Sequence, residues 1–167
     1  MGAEILRRKP TRLSHYDYGR SGAYFITICT HEKRCTLSRI VGEGLAPPAV
    51  HLSKYGMIAE TQLHLLYDRF PAIHRMRYVI MPNHIHILLT ICREAGGASP
   101  SPTASQIVGA FKSLTTRECN RQYGTVKIFQ RSFHDHIVRD RDDYTRIAKY
   151  IKNNPKLWHR DCFYTPS

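Results

Sequence analysis

Apolar and polar positions change period several times along this chain, and each change marks an element. Ala23 to Thr30 (AYFITICT) is dense in aromatic and β-branched residues and predicts a strand. Val41 to Val50 carries Gly42, Gly44, Pro47 and Pro48 and reads as a loop. Ser53 is a helix cap, and the helix it opens runs to about Arg69 and stops before Pro71. Met76 to Met81 predicts a second strand, Pro82-Asn83 a turn, and His84 to Cys92 a third strand. Residues 94–103, rich in Gly, Ser and Pro, read as a surface loop. Ser105 opens the next helix, in which Ile107, Ala110, Phe111 and Leu114 share one face at i, i+3, i+4 and i+7. A fourth strand follows over about 127–138, and a last helix runs from near Arg141 to just before Pro155.

The resulting order is strand, helix, strand, strand, helix, strand, with one extra helix. That is the split βαβ order of a ferredoxin-like α+β sandwich. It implies an antiparallel sheet with helices on one face, plus a C-terminal helix. At 167 residues, without repeats or a domain-scale linker, the chain reads as one domain over 23–167 behind a basic arm over 1–22. Lys and Arg number 25 against 13 Asp and Glu, a formal charge of +12, which points to a polyanionic partner. An anionic membrane is the weaker choice of polyanion. No run approaches the roughly 20 apolar residues of a span, and Arg77 to Cys92 is broken by Asn83, His84 and His86. The arm has no apolar run of a secretory leader. Five cysteines without a CxxC pair read as reduced thiols rather than a disulfide framework or structural zinc site, and together these features predict a cytoplasmic protein.

Candidate chemistry concentrates in Met81-Pro82-Asn83-His84-Ile85-His86-Ile87-Leu88-Leu89. Strand side chains alternate faces, so His84 and His86 project together while Ile85, Ile87 and Leu89 project oppositely. Two imidazoles so placed are able to hold one divalent cation, or are two polar positions on a half-exposed strand. In the last helix Tyr144, Ile147, Ala148 and Ile151 form the docking stripe. At about 100° per residue Tyr150 lies about a quarter turn off its centre. Asn154 is one turn further along the same flank. They either face one site together, or are a core-edge tyrosine and an asparagine that ends the helix before Pro155.

These segments together resemble the REP-associated tyrosine transposases and the wider HUH single-strand DNA transposases, HUH denoting His84-Ile85-His86 here. The resemblance begins at His15-Tyr16-Asp17-Tyr18 and Gly22-Ala23-Tyr24-Phe25. It continues through Val79 to His86, Ile107 to Lys112, Phe129-Gln130-Arg131 and His136, and ends at Tyr150-Ile151 with Asn153-Asn154-Pro155. It implies that His84, His86 and Asn154 bind a metal, Mg2+ or Mn2+, and that Tyr150 is the nucleophile. The implied activity is cleavage and strand transfer of single-stranded DNA beside a hairpin, with the 5′ phosphate kept on tyrosine. Monomer and homodimer both occur among such proteins.

Arg7, Arg8, Lys9, Arg12, Tyr16 and Arg20 are candidates for gripping single-stranded DNA, since aromatics stack on bases and cations track phosphates. Lys112, Arg131 and His136 are further DNA-contact candidates, and His134 shares a strand face with His136. Two other readings compete. A non-catalytic nucleic-acid-binding module would use the same sheet, but would not require His84, His86, Tyr150 and Asn154 as a set. A hydrolase of small phosphates fits poorly with a charge of +12.

Overall fold

A computed structural model describes residues 21–42, 48–92, 102–124 and 126–165. Arg7, Arg8, Lys9, Arg12, Tyr16 and Arg20 lie outside the described residues, as does most of the expected 94–103 loop. The elements in chain order are β1 (Gly22–Cys29), β2 (Ser38–Val41), β3 (Ala49–Leu52), α1 (Lys54–Arg69), β4 (Ile73–Ile80), β5 (His84–Ile91), α2 (Ala104–Tyr123), β6 (His134–Val138) and α3 (Arg141–Asn153). Short 3-10 turns cover His31–Lys33 and Asn154–Arg160.

The main sheet has the order β4-β5-β1-β6 with every neighbouring pair antiparallel. Its strands in chain order are β1, β4, β5 and β6, which is the ferredoxin-like arrangement. At the ends of the expected loop over 41–50, Val41 and Ala49-Val50 belong to a separate β2-β3 ribbon that pairs Ser38 with Leu52 and Val41 with Ala49, while residues 43–47 lie outside the described residues. Gly42 and Pro48 dominate the sequence there, whereas each flanking strand has only four residues, too few for period-two alternation to register. The strand expected over 127–138 is likewise shorter. Only 134–138 joins the sheet, and Phe129 makes a single bridge to Thr30.

Helix starts follow side-chain chemistry. The Ser53 hydroxyl accepts from the N–H groups of Tyr55 and Gly56 and caps α1. α2 begins at Ala104, one residue before the expected Ser105, and its cap is Thr103. Thr103 accepts from the Gln106 N–H at 3.2 Å while the Gln106 side chain accepts from the Thr103 N–H at 2.8 Å, a reciprocal capping box. Asp140 caps α3 by accepting from Asp143 N–H at 2.8 Å.

Both faces of the sheet are covered. Tyr24, Ile26 and Ile28 of β1 and Ile85, Ile87, Leu89 and Ile91 of β5 meet α1 and α2 through Leu63, Leu66, Ile107 and Phe111. The opposite face carries Phe25, Leu88 and the two histidines, and α3 crosses it. Ile147 and Ile151 bury against Leu88, each worth about 1.5–3 kcal/mol. β5 is therefore buried on both sides, and the histidines on it are interior residues.

Gly56 of α1 packs directly against the backbone of Leu37, the residue before β2. A Cβ there would stand 2.0 Å from the Leu37 carbonyl oxygen, whereas a Cβ on Gly109 of α2 would meet nothing within 4 Å. Both are helical glycines, for which alanine gains about 1 kcal/mol in the absence of a clash. Gly109→Ala is expected to raise stability by up to that amount. Gly56→Ala is expected to lose about 1–3 kcal/mol through overpacking. Urea denaturation of the two variants checks the opposite signs.

Candidate functional site

The site is built on β5. His84 and His86 are 0% and 2% exposed, with ring centroids 4.4 Å apart. The register places Thr27 of β1 opposite His86, and its hydroxyl lies 2.9 Å from His86 Nδ1. Asn83, in the turn entering β5, places its amide oxygen 2.9 Å from His84 Nδ1. That oxygen only accepts, so His84 Nδ1 carries the proton and Nε2 keeps its lone pair. His84 Nε2 is buried without a hydrogen-bond partner. Burial lowers the pKa of His84 to about 4 and that of His86 to about 3, His84 adding to the depression of His86 while Asp161 opposes both. Both rings are neutral near pH 7, the form in which an imidazole serves as a metal ligand.

α3 brings Tyr150 to this pair. Its hydroxyl lies 3.3 Å from His86 Nε2 and donates to Asp161 Oδ2 at 3.2 Å. Its ring stands edge-on to Phe25 at 6.0 Å and is tilted 59° to His86 at 5.2 Å. At 39% exposure Tyr150 is neither core nor free surface. Burial, then the negative charge and acceptor of Asp161, push its pKa above the ordinary phenol value. By contrast Tyr144, on the apolar stripe, has a buried hydroxyl without a hydrogen-bond partner.

Beyond α3 the chain turns through Asn154–Arg160 and folds back over the histidines. Asn154 is 1% exposed, donates from Nδ2 to Asp161 Oδ2 at 2.7 Å, and has a buried oxygen without a partner. Asp161 Oδ1 accepts from Phe163 N–H at 2.8 Å. Burial raises the Asp161 pKa, but that N–H, the Asn154 amide and the nearby histidines outweigh it and hold the carboxyl below its usual range. Donor atoms of His84, His86 and Asp161 all lie within 4.8 Å of one another.

This set fits a divalent cation. Two buried lone-pair atoms, His84 Nε2 and Asn154 Oδ1, have no partner, and a carboxylate stands beside them. Uncompensated buried polar atoms are costly unless something binds them. Nitrogen with carboxylate or amide oxygen suits magnesium, manganese or zinc.

The sequence reading did not identify Asp161. It lies eleven residues beyond Tyr150 in a stretch with no periodicity, past the Pro155 at which the helix pattern ends. Thr27 was accessible in principle through strand register, and Asn83 was read only as a turn residue. Elsewhere, Lys112 donates its ammonium to the Gln130 and Arg131 carbonyls at 2.6 and 2.8 Å, tying α2 to the segment before β6. Arg131 is exposed. His136 pairs through Nε2 with Asp143 at 2.8 Å and fastens β6 to the first turn of α3.

A protein-family model described as "Transposase IS200 like" matches residues 71–154, a span that includes His84, His86, Tyr150 and Asn154. An uncharacterized protein of Haemophilus influenzae is 31% identical over 177 aligned residues, covering 97% of this chain and 96% of the relative. The chain belongs to the IS200-like transposase family, and its enzyme class is that of a transposase. Among solved structures, the REP-associated tyrosine transposase bound to a REP hairpin shares the fold. Its TM-score is 0.56 at 20% identity, over 86% of this chain and 73% of that one. The expected α+β class and family resemblance hold. Among the described residues no helix is long and apolar enough to cross a membrane.

Asn83 secures both the ring of His84 and the returning tail, donating from Nδ2 to the Phe163 carbonyl at 2.7 Å and the Thr165 hydroxyl at 3.2 Å. Asn83→Ala leaves the buried His84 N–H unpaired, at a cost of about 1–3 kcal/mol. Amide hydrogen exchange at 161–165 is expected to accelerate more than exchange in α2. Unchanged protection of the tail contradicts this role for Asn83.

Proposed function

We propose that this transposase is a metal-dependent single-strand DNA endonuclease and strand transferase in which Tyr150 is the nucleophile. The observation that carries the reading is the convergence of the Tyr150 hydroxyl on His86 Nε2 and Asp161, beside two lone-pair atoms without partners. A binding module needs no such set. The structural relative bound to a REP hairpin supports a single strand beside a DNA hairpin as substrate.

His84 and His86, with Asn154 Oδ1 and the Asp161 carboxylate, would hold the cation, Mg2+ or Mn2+. When bound, such an ion neutralises charge growing on the nonbridging phosphate oxygens. Tyr150 lies on the flank of α3, where its oxygen reaches a phosphate placed against the histidines. The oxygen of Tyr150 bonds to phosphorus as the bond from phosphorus to the 3′ oxygen breaks. The phenolic proton passes to Asp161 Oδ2, which already accepts it in a hydrogen bond. The 3′ oxygen leaves and takes a proton from water. The product is a 5′ phosphate ester on Tyr150, which conserves the bond so that another 3′ hydroxyl can displace it without a nucleotide cofactor. A phenol is mostly protonated near pH 7, and burial beside Asp161 holds this one more so. The proton acceptor is therefore a necessary part of the site.

Two experiments test this reading. Labelled hairpin-flanked single-stranded DNA, incubated with Mg2+ or Mn2+ and run on a denaturing gel, should show a covalent protein adduct. Tyr150→Phe is expected to lower adduct formation by about 10⁴-fold or more, the scale of losing a nucleophile, with DNA and metal binding retained. Tyr144→Phe, altering a hydroxyl inside the apolar contact, should leave it nearly intact. An adduct that persists in Tyr150→Phe overturns the assignment. In calorimetry with Mn2+, the His84→Ala/His86→Ala double variant should lose binding and Asp161→Asn should weaken it. Undiminished affinity in the double variant removes the metal site.

A further inference from the structure

A second concave surface adjoins the histidines without including them. It is a cleft of about 630 Å³ between β2, the Pro82 turn and the returning tail, lined in part by Lys33, Arg34, Arg39, Pro82, Trp158 and Tyr164. Small-ligand sites occupy about 300–1,000 Å³, so it has room for a nucleotide. Its chemistry is that of a nucleic-acid subsite, with three cations and two aromatic rings in its lining. Arg34 pairs with Glu32. Among the described residues Arg39 has no ion pair, and Lys33 has none either, its ammonium lying 5.6 Å from the Phe163 ring. Tyr164 is 38% exposed and meets Trp158 in a T-shaped contact with ring centroids 5.3 Å apart, so part of its ring is open to contact. The same Trp158 ring has its centroid 5.9 Å from that of His84. One buried indole thus both lines the cleft and contacts the histidine pair.

We infer that this cleft holds one unpaired nucleotide of a DNA single strand, next to the phosphate presented to His84 and His86, with its base on Tyr164 and its phosphate on Arg39 and Lys33. The inference rests on the nuclease reading for its strand and polarity, though the cleft itself does not depend on Tyr150. A paired base has both faces covered by its neighbours, so an exposed ring at the edge of a narrow cleft selects a base outside the stack. The cleft would thereby fix which phosphodiester stands before the tyrosine, and discriminate a single strand from a duplex.

Trp158 is the only tryptophan of the chain and so reports on the cleft directly. The test is a titration of the full chain, in chelator so that nothing is cut, with a 12-nucleotide mixed-sequence DNA single strand. The same sequence as DNA duplex and as RNA is titrated in parallel, following Trp158 emission. The single strand should change the emission saturably and the duplex should bind more weakly. Tyr164→Ala should weaken single-strand binding about tenfold, the loss of one base stack, while Tyr164→Phe restores it. Arg39→Gln, a surface change on a short ribbon, should weaken binding and flatten the slope of log K against log salt by about 0.7, the value for one phosphate on single-stranded DNA. Wild-type affinity and salt slope in both Tyr164→Ala and Arg39→Gln overturn the cleft, as does RNA binding tighter than DNA. The two readings fail separately. Wild-type protein that makes adduct while the cleft variants bind normally sinks only the cleft. Protein that makes no adduct while its single-strand binding depends on Tyr164 and Arg39 sinks only the nuclease.

Discussion

Two imidazoles inside a protein are an energetic problem that the surrounding structure must solve. His84 and His86 stand on a central strand whose other face is packed with isoleucine and leucine, so they cannot turn away to water. Burial forbids their charged form and requires a partner for each ring N–H. Asn83 accepts from the His84 N–H and the Thr27 hydroxyl is hydrogen-bonded to His86 Nδ1, while the neutral form follows from the coverage that α3 and the tail provide. The outcome is a pair of neutral rings, of which His84 keeps a buried Nε2 without a hydrogen-bond partner. A metal-binding role and an interior position are therefore compatible, because the neutral form tolerated in the interior is also the form that binds a cation.

The same strand serves stability and site, through alternation. Ile85, Ile87 and Leu89 hold β5 to the helical layer, and that packing fixes the backbone from which His84 and His86 project. Displacement of the rings would require displacement of core. Tyr150 is held differently. α3 is anchored at its start by the Asp140 cap and the Asp143–His136 pair, and at its middle by Ile147 and Ile151 on Leu88. The tyrosine near its end is half-exposed, on the flank of the apolar stripe. A rigid histidine pair beneath a hydroxyl reachable from solvent would suit a substrate as large as a DNA strand.

Much of this was legible in the sequence because it rests on periodicity. The strict alternation of His84 to Leu89 gave the two faces of β5, and the spacing of Tyr144, Ile147, Ala148 and Ile151 gave the docked face of α3 and the flank position of Tyr150. What periodicity does not encode was missed. The four-residue strands β2 and β3 are too short to show a pattern beside Gly42 and Pro48. Thr103 takes the capping role expected of Ser105 because only the earlier residue is three positions before Gln106, whose side chain returns the bond. Asp161 sits in an aperiodic tail, and its place beside the histidines depends on a chain reversal after Pro155 that no local pattern announces.

The orientation of the two buried amides links these observations. An asparagine side chain offers a donor end and an acceptor end, and its partners decide which way it faces. Asn154 has its donor end on the Asp161 carboxylate, a group that when ionised only accepts, so its oxygen is left facing elsewhere. Asn83 has its donor end on the Phe163 carbonyl and the Thr165 hydroxyl, so its oxygen faces the N–H of His84. In both cases the returning tail supplies the acceptor that sorts the amide. Asp161 thus acts on the site three ways at once: it orients Asn154, receives the Tyr150 proton in a hydrogen bond, and places negative charge beside neutral histidines. The tail after α3 is consequently part of the site's construction, although no residue beyond Pro155 belongs to the motif from which the site was first recognised.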